Sequence, residues 1–321
     1  MGTSTGRDLH IDQNLTQIAI GYQAPGVVVD MIAPIITVQK QTDLYSVYSR
    51  AEILALESTL RSPGTEAKRI TRSVSSQAYA VKNYALAMDI TVEDRANVDA
   101  AYEATLFNSA AEYLTWKLKA DWQNRVINIV SSTSNVSTGF TVASNWAGGG
   151  DPINQVMQVM EQLQATTGIK PNSMLLGWRA WSQMRRNTNV RNLLNGTNNG
   201  GGFVSRAGVQ ALFEVDRFLV DEAFFNTANE AQAESLSSPF ADKVLVYYAP
   251  LAPSRDAPSY MYSFRQEVPG VPSLAAERHP YDSRRKVETV EVGYYQDEVV
   301  TGTPYAALIT DVTASASGGL V

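Results

Sequence analysis

The chain has 321 residues, of which 44% are hydrophobic and 18% charged, and this is typical of a globular protein of one large domain or two ordinary ones. The formal net charge of −6 argues against a dedicated nucleic-acid reader, because such proteins carry a strong basic excess. Cysteine is absent, which excludes disulfides, thiolate metal sites and cysteine nucleophiles. The polar first ten residues lack the apolar stretch of a signal peptide, and no run of about 18 apolar residues predicts a membrane span.

Residues 1–40 are predicted to form an extended N-terminal arm. Asp12 can cap a short helix, and the glycine and prolines that follow it prevent a longer one. β-branched runs favour strands, and two of them follow, at 35–38 and at Val27, Val28 and Val29. An arm this apolar should lie on its own body or on a neighbouring subunit.

Residues 41–85 are predicted to form an extended ribbon of two strands with little core of its own. Residues 73–84 alternate with the period of a strand, and Arg-Ser-Pro-Gly-Thr at 61–65 is typical of a turn. Because an isolated two-stranded ribbon is marginally stable in water, it needs another surface to pack on. The ribbon tip is locally basic, and its cations are Arg50, Arg61, Lys68, Arg69 and Arg72. Interleaved glutamates favour contact with an acidic surface of a neighbouring subunit over contact with nucleic-acid phosphates.

Residues 91–132 carry the strongest helix signal. Apolar residues recur at steps of three or four from Leu106 to Ile129, and Thr91 is a candidate N-cap. A single helix of about 30 residues would form a rod of about 45 Å, which is far longer than the average globular helix. We therefore expect a spine helix here, followed by a polar linker at 133–150.

Residues 151–280 are predicted to form an α+β module. Asp151-Pro152 opens a helix that Gly168 closes. The other expected elements are a buried strand at 174–176, helices at 179–186 and 205–212, and strands at 217–220, 243–248 and 260–265. The last two predicted strands cover 286–300 and 304–310, and Arg284 and Arg285 stand at the start of the first of them. These two arginines are either solvated or part of a subunit contact.

The search for catalytic residues yields no candidate. The histidines, His10 and His279, lack metal-ligand spacing and are interpreted as surface or packing residues. No serine lies in a Gly-x-Ser-x-Gly elbow. The glycine-rich stretch at 196–202 lacks the ending of a phosphate-binding loop, so we expect a flexible surface loop. No catalytic, cofactor-binding or metal-binding residue is predicted.

A series of motifs, spread in order over nearly the whole chain, resembles the major capsid proteins of tailed bacteriophages, which have the HK97-type fold. The motifs lie at 11–16 (Ile-Asp-Gln-Asn-Leu-Thr), 29–34 (Val-Asp-Met-Ile-Ala-Pro), 61–65, 93–97 (Glu-Asp-Arg-Ala-Asn), 151–153, 167–172 (Thr-Gly-Ile-Lys-Pro-Asn) and 287–292 (Val-Glu-Thr-Val-Glu-Val). Their number and order together carry the resemblance.

The resemblance implies an α+β fold with an N-terminal arm at 1–40, an extended loop at 41–85 and an axial domain at 151–280. The peripheral domain, which contains the spine helix, would comprise 86–150 and 281–321. Inter-subunit contacts are expected at the three arm valines, the five tip cations, Arg284 and Arg285. No cofactor and no membrane contact are expected.

The resemblance also implies hexamers and pentamers that assemble in the host bacterial cytoplasm into an icosahedral virion shell around double-stranded DNA. The implied partners are a portal protein, an optional cement or decoration protein, and packaged DNA held by non-specific contact. Because the chain reaches the arm within about ten residues, a separate scaffolding protein, or none, is expected. Lys68 has no convincing asparagine partner in the sequence, so covalent crosslinking is not expected.

Three alternatives remain open at this point. An encapsulin-like compartment shell would share the fold but enclose enzymes. A soluble α+β hydrolase is disfavoured by the missing cysteines, the scarce histidines and the absent elbow. A tail-tube protein would be rich in β-structure, which the long helical segment does not fit.

Overall fold

The computed structural model describes thirteen stretches of the chain: 12–22, 26–48, 55–57, 59–70, 74–98, 102–136, 138–141, 145–146, 149–195, 204–229, 232–254, 257–268 and 273–313. The α-helices in these stretches are α1 (Gln13–Gly21), α2 (Val29–Ile32), α3 (Val92–Ala96), α4 (Glu103–Val130), α5 (Pro152–Thr167), α6 (Trp178–Arg186), α7 (Thr188–Asn195) and α8 (Arg206–Phe213).

The strands are β1 (Ile35–Val38), β2 (Thr42–Tyr48), β3 (Val74–Ala80), β4 (Lys82–Thr91), β5 (Thr138–Thr141), β6 (Ser173–Gly177), β7 (Arg217–Asp221), β8 (Phe225–Asn226), β9 (Leu236–Ser237), β10 (Val244–Tyr247), β11 (Met261–Gln266), β12 (Ala275–Arg278), β13 (Val287–Val300) and β14 (Ala306–Thr310). They form two five-stranded sheets and two separate pairs, β2 with β3 and β8 with β9.

The first sheet is organised around β13, whose 14 residues make it the longest of the described strands. β4 pairs with β13 in antiparallel register from Thr91 opposite Val287 to Lys82 opposite Gln296. β11 and β12 also pair with β13, and the arm strand β1 adds to β11 in parallel. The strand predicted at 286–300 is confirmed, and Val290, Val292 and Tyr294 on one of its faces are all buried.

The second sheet has the order β5-β14-β10-β6-β7. Every residue of its inner strands β6 and β10 is buried, because helices cover one face and the spine helix lies against the other. The N-cap at Asp151, the left-handed Gly168 that ends α5 (φ 73°) and the N-cap at Ser205 are confirmed.

The spine helix α4 contains 28 residues, which corresponds to a rod of about 42 Å. Its N-terminal half packs on the first sheet, with Phe107 and Leu114 in one cluster with Val290. Its C-terminal half packs on the second sheet, with Trp122 and Val126 in a cluster that includes Leu175 and Leu245. One helix therefore joins the cores of both sheets.

The prediction of one continuous helix over 91–132 is wrong. Thr91 does act as an N-cap, but of the separate five-residue helix α3, in a reciprocal capping box with Asp94. Arg95 of α3 then forms ion pairs with Glu103, the first residue of α4, and with Glu288 of β13. These contacts hold the two helices as separate elements.

Two further segments differ from the prediction. The valine run at 27–29 was expected to be a strand, but Val29 begins the helical turn α2. The segment 133–150 was expected to be a linker, but it contains strand β5, which pairs with β14, and the buried Trp146. In both segments, burial against the spine helix or the second sheet overrides the local sequence preference.

The predicted domain boundaries stay a prediction, but the sheets do not follow them. β11 and β12 belong to the predicted axial segment and lie in the first sheet beside β13. β5 and β14 belong to the predicted peripheral segments and lie in the second sheet. The two sheets thus exchange strands across both boundaries.

Candidate subunit-contact surfaces

The ribbon of the extended loop is attached to the body at its base. β2 and β3 pair in antiparallel register from Thr42 opposite Ala80 to Tyr48 opposite Val74. Tyr45 and Tyr79 pack on Phe264 of β11, with ring centroids 5.3 and 4.7 Å apart. The backbone N–H of Ala80 donates to Asp297 Oδ2 of β13 at 2.9 Å. The base of the ribbon is therefore bonded to the first sheet.

The tip of the extended loop, residues 55–57 and 59–70, has no buried residue. Leu56, Leu60 and Ile70 are exposed by 101%, 94% and 68%. Burying one such side chain is worth about 1.5–3 kcal/mol. Three large aliphatic side chains on one unsupported loop form a surface that gains stability only against another molecule.

The turn of the tip is confirmed: Thr65 N donates to Ser62 O at 3.2 Å, and Gly64 takes a φ of 80°. The tip cations have partners within the loop. Lys68 pairs with Glu57, Arg69 with Glu66 at 3.7 Å, and Arg61 Nε donates to Thr65 O at 2.5 Å. Such exposed pairs contribute little to stability. Arg50 and Arg72, also predicted as contacts, lie outside the described residues.

The arm valines contact their own chain. Val29 is fully buried in the cluster that contains Trp122 and Val126 of the spine helix, so the prediction of Val29 as an inter-subunit contact is wrong. Val27 and Val28 are half-buried against the same cluster. The apolar character of the arm is thus explained by packing on its own body.

The two arginines before β13 are exposed, and they differ in their partners. Arg285 forms an ion pair with Asp89 of β4. The hydrogen bond from Thr289 and the charge of Arg285 lower the pKa of Asp89. Arg284 contributes its backbone N–H to Asp282 Oδ1 at 2.8 Å. The Arg285–Asp89 pair therefore ties β4 to the turn before β13.

An apolar surface that the sequence analysis did not single out lies on β4, an edge strand of the first sheet. Residues 84, 86, 88 and 90 share one face of the strand. Ile90 is buried, but Leu86 and Met88 between the covered ends remain exposed. The period-two run Tyr84, Leu86, Met88, Ile90 is the sequence signal that could have revealed this surface.

A buried polar network ties the arm, the spine helix and the second sheet together. Gln123 of α4 accepts from the backbone N–H of Val28 at 3.1 Å and donates to Asp221 Oδ1 of β7 at 2.8 Å. Asp221 is fully buried, and its Oδ2 has no hydrogen-bond partner among the described residues. Burial raises the pKa of Asp221, which favours the protonated carboxyl group.

Nothing in the described residues is arranged for metal binding. His279 Nε2 lies 2.9 Å from Glu291 Oε2 on the first sheet, but the described stretches contain no group of three or more potential ligands. His10 and the glycine-rich loop at 196–202 lie outside the described part of the chain. In the part described, no helix is both long and apolar enough to span a bilayer.

Comparison with known proteins shows which proteins this chain is similar to. No family model matches the chain. The major capsid protein of Pseudomonas phage JBD67 is 25% identical over 230 residues, which are 70% of this chain and 73% of the relative. The crystal structure of a phage-related protein from Bordetella bronchiseptica superimposes with a TM-score of 0.75 at 18% identity, covering 95% of this chain and 98% of that protein. The chain has the HK97-type capsid fold, and its sequence is similar to that of a phage major capsid protein.

Structures across this fold differ widely in sequence. A chain from the capsid of cyanophage P-SCSP1u has a TM-score of 0.57 at 11% identity, with 88% of each chain covered. An encapsulin from Synechococcus elongatus has a TM-score of 0.56 at 13% identity, covering 94% of this chain and 92% of the encapsulin. The fold alone does not separate capsids from encapsulins, and the relative found by sequence is a phage major capsid protein.

Capsid proteins of the HK97 type are structural proteins and not enzymes, so the hydrolase alternative falls, and a tail-tube protein does not fit the fold. As a capsid protein, this chain associates with copies of itself in a shell, and it belongs in the capsid of a virion.

Proposed function

We propose that this HK97-type capsid protein assembles as hexamers and pentamers into an icosahedral shell around double-stranded DNA, in the cytoplasm of the host bacterium. The observation that carries the proposal is the loop tip, where Leu56, Leu60 and Ile70 lie in solvent with no support from their own chain. In a shell, each tip would cover an apolar surface of the next subunit and thereby connect subunits into a closed lattice.

The peripheral and axial parts, as predicted from the sequence, would form the tile, and the extended loop would clamp adjacent tiles. The tip cations Arg61, Lys68 and Arg69, with Arg50 and Arg72, would meet an acidic surface of the neighbour. Their internal pairs are exposed and worth about 0–1 kcal/mol each, so they can be exchanged for intersubunit pairs at low cost. A portal protein, a scaffolding protein and a cement protein are further proposed partners.

Deleting residues 55–70 tests the clamp. Since the described residues of this segment, 55–57 and 59–70, contribute no buried side chain to the body, the expected product is a folded, soluble subunit that fails to form shells in electron microscopy and size-exclusion chromatography. Shells that form normally from this variant would contradict the proposal.

A substitution test separates the apolar contacts of the tip from its length. The variant combines Leu56→Ser, Leu60→Ser and Ile70→Ser. The control combines Leu193→Ser, Leu236→Ser and Leu251→Ser, three leucines elsewhere that are exposed by 59%, 60% and 70%. We expect the tip variant to stay unassembled and the control to form shells. Equal behaviour of the two variants would refute a special role for the tip.

In shells of the unaltered protein, packaged DNA supports the phage function and protein cargo supports the encapsulin alternative.

A further inference from the structure

The chain is acidic overall, but one region of the predicted axial segment is not. Between Glu161 and Glu214 there are six cationic residues and no carboxylate. Two of the six are neutralised locally, because Lys170 pairs with Glu214 and Arg206 with Glu222. The remaining four lie on the consecutive helices α6 and α7, and they are Arg179, Arg185, Arg186 and Arg191.

None of these four arginines forms an ion pair with any described residue. Arg179, Arg185 and Arg186 are exposed, and Arg191 is half-exposed. Arg186 bonds only to Ser182, with Nε on the backbone oxygen at 3.1 Å and a terminal nitrogen on Oγ at 2.8 Å. Arg179 lies over the ring of Trp178 at 5.1 Å. These contacts orient guanidinium groups but do not compensate their charge.

Helix geometry places Arg179 and Arg186 on the same face of α6. Ala180, Trp181 and Met184 form the buried face of α6. Residues 179 and 186 are seven positions, or about two turns, apart. Both therefore lie on the face opposite the buried one, separated by about 10.5 Å along the helix axis. α7 begins two residues after α6 ends. The four arginines thus lie on two consecutive helices, and no described carboxylate pairs with any of them.

A recess beside Arg186 also lacks acidic groups. Its volume is about 240 Å³, and no carboxylate is among the described residues that line it. Asn187 is used internally, because its side-chain nitrogen donates to the backbone oxygens of Trp146 and Gly150. Arg186, Gln183 and Thr188 remain on the lining as polar side chains that can approach a ligand. Guanidinium, amide and hydroxyl groups can donate hydrogen bonds to a phosphate oxygen, and no carboxylate nearby would repel it.

We propose that the surface of α6 and α7 formed by Arg179, Arg185, Arg186 and Arg191 binds the phosphates of double-stranded nucleic acid and faces the packaged genome. The proposal rests on the shell function proposed above and assigns the DNA contact to particular residues. It also explains how a protein of net charge −6 can line a compartment full of polyanion, because the positive charge is concentrated on one surface. The contact is independent of base sequence, since it uses phosphates alone.

The test compares the variant with Arg179→Gln, Arg185→Gln, Arg186→Gln and Arg191→Gln with a control of equal charge loss at four exposed lysines, Lys40→Gln, Lys82→Gln, Lys117→Gln and Lys286→Gln. Unassembled subunits are titrated with a short fluorescent duplex of random sequence at several salt concentrations. Each lost phosphate contact reduces the slope of log Kobs against log salt by about 0.9, so the helix variant should lose up to about 3.6 units of slope. The control should keep the slope of the unaltered protein.

Several outcomes would overturn the proposal. They are an unchanged slope in the helix variant, an equal loss in the control, no duplex binding by the unaltered subunit, or a preference of the surface for poly-glutamate, which would indicate an acidic protein partner. Circular dichroism verifies the fold, and the single variant Arg186→Gln, which should lose about 0.9 units, replaces the fourfold one if that does not fold. Shell formation is scored separately by electron microscopy. Shells that assemble but retain less DNA support this assignment, whereas a failure of the unaltered protein to form shells counts against the shell function.

Discussion

The loop tip and the second sheet contain the same kinds of apolar residue but differ in how far these are exposed to solvent. In β6, Met174, Leu175 and Leu176 are fully buried between helices and the spine. At the tip, Leu56 and Leu60 have the same chemistry and almost complete exposure. The second sheet stabilises one chain, whereas the tip can stabilise only a contact between chains. A substitution should therefore affect folding in one region and assembly in the other.

The largest difference between the two regions is expected from one glycine substitution made in each of them. A Cβ at Gly177, at the end of β6, would lie 1.9 Å from the backbone oxygen of Phe240. Gly177→Ala therefore requires the backbone to move, and we expect a loss of about 3 kcal/mol or more in the free energy of unfolding. Thermal and denaturant unfolding measure it.

Gly64→Ala is the matched control in the tip. The added Cβ meets nothing within 4 Å, although φ is 80°. The left-handed backbone costs about 1 kcal/mol, and this cost stays within a loop that the body does not need. Global stability should change little. Equal losses at the two glycines would show that tip and sheet fold as one unit.

The next expected effect concerns the base of the ribbon, which lies between the two extremes. Tyr79 is 1% exposed and stacks on Phe264. Tyr79→Ala should weaken docking of the ribbon by about 3 kcal/mol, which corresponds to roughly 100-fold faster hydrogen exchange. Amides of β2 and β3 should show this change, while those of β6 should not.

Tyr79→Phe is the control, because it keeps the stacked ring and removes only a hydroxyl whose contact with the backbone oxygen of Lys40 measures 3.4 Å. Exchange in this variant should stay close to that of the unaltered protein. Faster exchange of β6 in Tyr79→Ala would mean that the ribbon supports the second sheet.

A smaller effect is expected at Asp221, where the arm, the spine helix and the second sheet meet. Burial raises the folded-state pKa of Asp221 above its unfolded value. Between these two pKa values the folded chain binds more protons than the unfolded chain, so stability falls as pH rises through that window. Asp221→Asn cannot ionise and should be more stable above the window by about 1 kcal/mol.

The measurement is the free energy of unfolding as a function of pH, with Glu222→Gln as a control that removes an exposed neighbouring carboxylate. Asp221→Asn should flatten the pH dependence, and the control should largely retain it. If Asp221→Asn were less stable than the unaltered protein at neutral pH, the fold would instead require the ionised carboxylate of Asp221.

Local chemistry in the sequence was sufficient for the helix ends at Asp12, Asp151, Gly168 and Ser205, because each uses residues within one turn of itself. It was insufficient for the break between α3 and α4. No glycine or proline interrupts residues 97–102, and Arg95 is bound by Glu288, almost two hundred residues away. Membership of β5, β11 and β14 in their sheets depends on the same kind of distant pairing.

The charged surfaces show the same limit. The sequence places many cations in the tip, but only the structure shows that Lys68 and Arg69 have partners there. The carboxylate-free stretch from 162 to 213 could have been found by counting charges. Only the structure shows that four of its arginines lie on α6 and α7 without an ion pair to any described residue.

The long strand β13 has a mechanical consequence. The ribbon base is bonded to Asp297, and β3 continues almost directly into β4, which runs beside β13 as far as Val287 opposite Thr91. The bonds of an antiparallel ladder lie perpendicular to its strands. Tension along the loop would therefore act as shear on the whole ladder, and its hydrogen bonds would share the load instead of opening one by one. If the tip binds a neighbouring subunit, as proposed, a pull between the two subunits would load the ladder in this direction.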